Sequence, residues 1–124
     1  MTPAARSVNV FGTYLLVLAI ILLVSPNTLL QVFGLRPTSE VWIRVAGMLV
    51  VALGVYYRTA ARANIRVFFF ATVLVRASVL LFFGVFVLAG WAEWPLLLFG
   101  VVDASGAAWT WLALRQEGAA AQYS

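Results

Sequence analysis

The sequence contains no cysteine, no histidine and no lysine, and charged residues make up only 10% of the chain. Without cysteine there are no disulfides and no thiolate chemistry, and without histidine the commonest ligands of zinc and haem are missing. The few carboxylates are also too far apart in the sequence to supply a pair of neighbouring acids for acid–base catalysis. We therefore expect a protein that is not an enzyme, with no metal and no cofactor, and without a nucleic-acid partner.

Apolar residues dominate what is present, at 65% of the 124 residues with a mean hydropathy of +1.04. Four apolar runs occupy residues 8–24, 41–57, 67–88 and 95–114, and each is long enough to cross or nearly cross a bilayer as a helix. The expected fold is all-α: an up-down-up-down bundle of four transmembrane helices in one domain, residues 1–115. We expect a disordered cytoplasmic tail at residues 116–124.

The connection between the first two spans has its own helical signals. Ser25 followed by Pro26 is typical of a helix start, and Gly34 is typical of a helix end. The sequence therefore predicts a short interfacial helix at residues 25–33.

All eight basic residues are arginine, and most of them fall at one end of the predicted spans. By the positive-inside rule, this asymmetry places both termini in the cytoplasm. The predicted location is the bacterial inner membrane, with multiple passes. The lipid bilayer is the expected partner, and a bundle this small also suggests a homo-oligomer or a larger membrane-protein partner. The arginines that set the orientation are Arg6, Arg58, Arg62, Arg66 and Arg115.

Two charged residues lie inside predicted spans. Arg76 falls in the third run and Asp103 in the fourth, and their heights in the bilayer differ by only about 4 Å at the helical rise per residue. Since a lone charge in lipid costs about 2.5 to 3.5 kcal/mol, we expect Arg76 and Asp103 to form an ion pair. Thr72 and Thr110 are placed to add hydrogen bonds, and Arg44 is a competing partner for Asp103.

Small residues recur at helical spacing in the second and fourth spans. Such stripes let the backbones of membrane helices approach, so we expect both to face other helices. The predicted packing positions are Gly47, Gly54, Gly100 and Gly106.

The first half of the chain resembles the small four-helix bacterial membrane proteins grouped as DoxX-like, which often show a proline, then Phe-Gly, then Arg-x-x-Gly opening the second span. This resemblance implies a fold and a membrane location, and no reaction. The residues that carry it are Ser25-Pro26, Val32-Phe33-Gly34-Leu35, Trp42, Arg44, Gly47 and Gly54-Val55-Tyr56-Tyr57.

Two functions remain open from the sequence. One is a binding or accessory subunit without enzymatic activity, in which the Arg76–Asp103 pair either fixes helix register or contacts a ligand. The alternative is a small transporter or channel for an amphipathic or anionic solute, with Arg76 as the anion contact. A cavity at Arg76 favours transport, and a closely packed pair favours a structural role.

Overall fold

The computed structural model describes the backbone of residues 1–123 and the side chains of residues 1–118. This part of the chain is all helical, and four of its helices are long and apolar enough to span a membrane. The four-span bundle with a short helix between spans one and two is therefore confirmed. The helices are α1 Pro3–Val24, α2 Pro26–Val32, α3 Trp42–Arg62, α4 Arg66–Leu88 and α5 Leu96–Tyr123.

Three helices extend beyond their apolar runs at the end of the bundle that carries both termini, which we call the terminal side. The opposite end, which carries α2, is the α2 side. Helix α1 starts early because Pro3 suits a first helical position and the Thr2 hydroxyl accepts a hydrogen bond of 3.1 Å from the Ala5 amide. Helix α3 continues to Arg62 because arginine is a good helix former whose charged end reaches the interface.

Helix α5 also continues past Leu114, through Gln116 and Glu117, where the sequence predicts the start of a disordered tail. Glu117 explains the continuation. Its carboxylate accepts a hydrogen bond of 2.8 Å from the Ala4 amide at the start of α1 and pairs with Arg66 at the start of α4. Three helix ends are thus joined on the terminal side. Side chains from residue 119 onward lie outside the described part of the chain.

The long helices pack in the order α3, α1, α5, α4. Helix α1 packs along α3 and α5, and α4 packs along α5, whereas α3 and α4 have no extensive contact in the described structure. At the terminal side α3 and α4 do meet, where the rings of Tyr57 and Phe68 stack edge to face at 5.4 Å. The two helices then separate toward the α2 side.

Helices α1 and α3 are in close contact at Gly12 and Gly54. A Cβ atom added to Gly54 meets the side chain of Leu16 at 2.7 Å, and one added to Gly12 meets the Cβ of Tyr57 at 2.9 Å. Neither position has room for a larger residue. These glycines let the two backbones approach, which is how membrane helices gain van der Waals packing when the hydrophobic effect between them is absent.

The buried core lies mainly in the terminal half of the bundle. Its members come from the first half of α1, the end of α3, the start of α4 and the end of α5. The α2 half is packed less closely. The core consists of Ala4, Ala5, Val8, Phe11, Leu15, Tyr57, Ala60, Ala61, Phe69, Ala113 and Leu114.

Candidate ligand-binding site

Arg76 is the largest side chain that is fully enclosed, with only 2% of its surface exposed. Its Nε donates to the Thr72 carbonyl at 3.2 Å, and its Nη2 donates to the hydroxyls of Thr72 at 3.0 Å and Thr110 at 2.8 Å. Both threonines that the sequence places near the pair thus bind the arginine. These hydrogen bonds to a charged group are stronger than those between neutral groups.

Aromatic rings cover the remaining surface of the guanidinium. Its central carbon lies 4.8 Å from the ring centroid of Phe11 and 5.6 Å from that of Tyr57. A cation over an aromatic face is attracted by the ring quadrupole, and the attraction is larger where water is excluded. Phe11 and Tyr57 therefore help to hold a charge that lipid alone does not accommodate.

The Thr72 and Thr110 hydroxyls, which accept from Arg76, each donate a hydrogen bond to another group. Thr72 donates to the Phe69 carbonyl at 2.8 Å. Thr110 lies 2.7 Å from the Ser7 hydroxyl, and Ser7 itself donates to the Ala4 carbonyl at 2.7 Å. Because the Ser7 hydrogen is already used, Thr110 must be the donor to Ser7. The Thr72 and Thr110 hydroxyls therefore each point an oxygen toward the cation and a hydrogen away from it.

A direct ion pair between Arg76 and Asp103 is not formed. Within the described side chains the ion pairs closer than 4.0 Å are Arg36–Glu93 and Arg66–Glu117. The reason is the direction of the side chains. Helical side chains tilt toward the N-terminus of their own helix, and α4 and α5 are antiparallel. Arg76 therefore tilts toward the terminal side and Asp103 toward the α2 side.

Arg44, the predicted competitor, also binds elsewhere. Its guanidinium donates to the Leu23 carbonyl in the last turn of α1. This carbonyl is one of those that a helix end leaves without an intrahelical partner, and a cation there also complements the helix dipole. Arg44 thus joins the α2-side ends of α1 and α3, and it leaves Asp103 without this partner.

Asp103 lies at the end of an apolar cavity of about 570 Å³ in the α2 half of the bundle. It is the only charged residue among the described residues that line this space. The volume is within the range of small-molecule sites, which are mostly apolar with a few placed polar groups. The walls are Leu15, Leu18 and Leu22 of α1, Ile43, Ala46, Val50 and Leu53 of α3, Val79, Phe82, Phe83 and Phe86 of α4, and Leu96 and Phe99 of α5, with Tyr14 beside Asp103.

The cavity is roofed on the α2 side and open between α3 and α4. Leu29 and Leu30 of α2 and Leu35 after it line the roof. Between α3 and α4 the walls are not covered, since Leu53 is 46% exposed and Phe82 is 59% exposed. This opening lies on the apolar outer surface of the bundle, within the membrane-spanning segments.

The ring contact of Phe33 with Phe99, at 4.5 Å between centroids, places the end of α2 against α5. The ion pair of Arg36 with Glu93, at 3.3 Å, then ties the connection after α2 to the connection before α5. The roof is therefore attached to two sides of the bundle, at α1 and at α5.

The four predicted packing glycines all lie against a neighbouring helix. Gly47 and Gly54 contact α1, and a Cβ atom added to Gly100 meets the backbone of Leu80 in α4 at 3.0 Å. One added to Gly106 meets the Phe11 ring at 2.7 Å and Arg76 Nη1 at 3.1 Å. Gly106 therefore makes room for the guanidinium and its aromatic cover.

The sequence interpretation missed Phe11, Tyr57 and Ser7 around Arg76, and Tyr14 beside Asp103. Aromatic residues in a membrane segment have no spacing that separates a cation contact from ordinary packing. The one available signal was helical phase. Ser7, Phe11 and Tyr14 recur at intervals of three and four residues, which places them on one face of α1.

Comparisons of the chain with protein-family models, with curated proteins and with solved structures found no match. The DoxX-like resemblance stays a prediction.

Proposed function

We propose that this membrane protein binds a lipophilic small molecule in the cavity between α3 and α4, without catalysing a reaction. The cavity itself carries the proposal: about 570 Å³ of apolar space with one carboxylate at its inner end. A bundle that needed only to be stable gains more by filling such a space, because unfilled apolar volume forfeits dispersion contacts. A binding or accessory subunit fits this arrangement.

The opening between α3 and α4 supports entry from the bilayer. A lipophile is already concentrated among the acyl chains, and the gap faces them. The attached roof over the α2 side favours this lateral route over entry from water.

The closed centre at Arg76 argues against a conduit through the bundle. Arg76 is enclosed by Phe11, Tyr57 and two threonines, and this layer lies between the cavity and the terminal side. An anion in transit has no access to the guanidinium in this conformation. Transport of an anionic solute through Arg76 is therefore the weaker alternative, since it requires this buried layer of the bundle to open.

The arginine distribution supports the orientation that completes this proposal, with both termini in the cytoplasm of a bacterium and the protein in its inner membrane. In this orientation the cavity lies in the half of the bundle that is embedded in the outer leaflet of the membrane. Association with a second copy or with a larger membrane protein is also proposed, because the lipid-facing surface of so small a bundle is large.

Photoaffinity labelling in nanodiscs tests the binding function. The probe is a long-chain fatty alcohol that carries a diazirine, and labelled positions are mapped by peptide mass spectrometry. We expect labels on the cavity walls of α3 and α4, and we expect excess unlabelled alcohol to compete with them. Labels that are confined to lipid-facing residues and that do not saturate would contradict the proposal.

A pair of matched variants sharpens the experiment. Ala46 lines the cavity, so Ala46→Trp fills part of the space and is expected to abolish saturable labelling. Ala71 is exposed on α4 and lies outside the cavity, so Ala71→Trp adds the same ring to the lipid-facing surface and is expected to leave labelling unchanged. Equal labelling of the two variants would show that the cavity is not the binding site.

A further inference from the structure

We infer that the occupant of the cavity carries a protonated primary amine, which the Asp103 carboxylate binds at the inner end, with a single hydrocarbon chain extending between α3 and α4 into the bilayer. This inference rests on the proposed function and names the class of ligand.

Asp103 carries a negative charge that needs a partner of opposite charge. In the described structure its carboxylate has no hydrogen-bond donor and no cation within 4.0 Å, although it lies inside a membrane span. An acidic side chain at this depth normally pairs with another group or marks a substrate path. An ammonium group supplies both the opposite charge and the N–H donors that the carboxylate needs.

Arg76 is the nearest candidate for this role within the protein, and it is already engaged. Three of its hydrogen bonds go to Thr72 and Thr110, and two aromatic rings cover it. Its Nη1 has no hydrogen-bond partner among the described residues, but this atom is buried beside Gly106 and does not line the cavity. The positive charge of Arg76 therefore makes the electrostatic potential near Asp103 less negative, but the guanidinium donates no hydrogen bond to the carboxylate.

The shape of the cavity indicates the apolar part of the ligand, beyond its head group. Asp103 lies about 10 Å along α5 from the α2-side end of that helix, at the rise of an α-helix. From there the walls are aliphatic and aromatic, and the exposed Leu53 and Phe82 mark an uncovered direction between α3 and α4. A head group at Asp103 with one flexible chain fits this space. The rings of Phe82, Phe83 and Phe99 on the walls also suit a cation that passes them.

Competition in the labelling experiment tests the head group. The photoreactive fatty alcohol is displaced from wild-type protein in nanodiscs by a fatty amine, a fatty alcohol or a fatty acid of equal chain length. We expect the amine to compete about tenfold to hundredfold better than the alcohol, as hydrogen bonds to a charged group predict. The fatty acid should be the weakest competitor because Asp103 repels it. A trimethylammonium analogue, which keeps the charge but lacks N–H donors, should fall between amine and alcohol.

Asp103→Asn assigns the preference to the carboxylate. This variant keeps the size of the side chain and removes its charge, so we expect the amine to compete no better than the alcohol. A circular dichroism spectrum and an elution profile in detergent that match those of the wild type show that the variant is folded. If the variant does not fold, the wild-type series decides alone.

Equal competition by amine and alcohol in the wild type, or an amine preference that survives in Asp103→Asn, would overturn this inference. Saturable labelling by the alcohol would still support the cavity as a lipophile site in either case. Absence of saturable labelling by the alcohol in the wild type would instead overturn the proposed function.

Discussion

Replacing Thr110 by valine tests how the buried arginine is held. Valine matches the shape of threonine but lacks the hydroxyl that accepts from Arg76 Nη2 at 2.8 Å and bonds Ser7 at 2.7 Å. Ser7 still donates to the Ala4 carbonyl after the change, so no donor there is orphaned. The main loss is one charge-assisted hydrogen bond at a residue with 0% exposure.

The expected magnitude follows from that charge. Hydrogen bonds between membrane helices average about 0.6 kcal/mol, whereas hydrogen bonds to charged groups contribute about 1.5 to 3 kcal/mol. Because Arg76 Nη2 keeps only Thr72 as a partner, we expect Thr110→Val to lower the free energy of unfolding by about 2 kcal/mol. The assay is SDS titration in mixed micelles, followed by tryptophan fluorescence.

Thr13→Val is the matched control. The Thr13 hydroxyl is exposed and donates to the Asn9 carbonyl of its own helix at 3.1 Å. Its removal should change stability by less than about 0.5 kcal/mol, as surface substitutions usually do. Equal losses for the two variants would refute the argument, because they would mean that the contact with Arg76 adds nothing.

A double-mutant cycle then identifies the true partner of the arginine. In an Arg76→Met background the effect of Thr110→Val should shrink, with a coupling energy within the usual range of about 0.5 to 3 kcal/mol for residues in contact. The cycle of Arg76→Met with Asp103→Asn should give a smaller coupling, since these side chains form no ion pair within 4.0 Å. If the Asp103 cycle shows the larger coupling, the ion pair predicted from the sequence is formed in the membrane.

Two further predictions concern packing and topology. Gly54→Leu should destabilise the bundle by about 1 to 3 kcal/mol, the usual cost of overpacking. Gly84→Leu should have little effect, because nothing lies within 4 Å of a Cβ atom added there. Thermal unfolding in detergent compares the two variants, and equal melting temperatures would contradict the contact of α1 with α3. Reporter fusions after Arg62 and at the C-terminus should both read cytoplasmic and one near Thr38 external, and a cytoplasmic signal at Thr38 would rule out the four-span orientation.

Sequence reasoning about the polar centre succeeded for residue types and failed for one pairing. Arg76 is costly in lipid wherever it lies, so its burial among polar groups followed from its place in the third run. Thr72 followed as well, because it lies one helical turn away on the same helix. The partner of Asp103 did not follow. Equal height along two helices says nothing about side-chain direction, and in an antiparallel pair these directions diverge.

Sequence alone determined the four membrane helices, because in lipid each segment must satisfy its own backbone hydrogen bonds and the apolar runs leave few other solutions. It also determined the short helix after Ser25, through proline and glycine signals at its ends. Only the tertiary structure decided that α3 and α4 separate, that Arg44 binds the end of α1, and that Asp103 lines an apolar cavity. Each depends on how helices distant in sequence pack around one another, and hydropathy and spacing within one segment do not record that geometry.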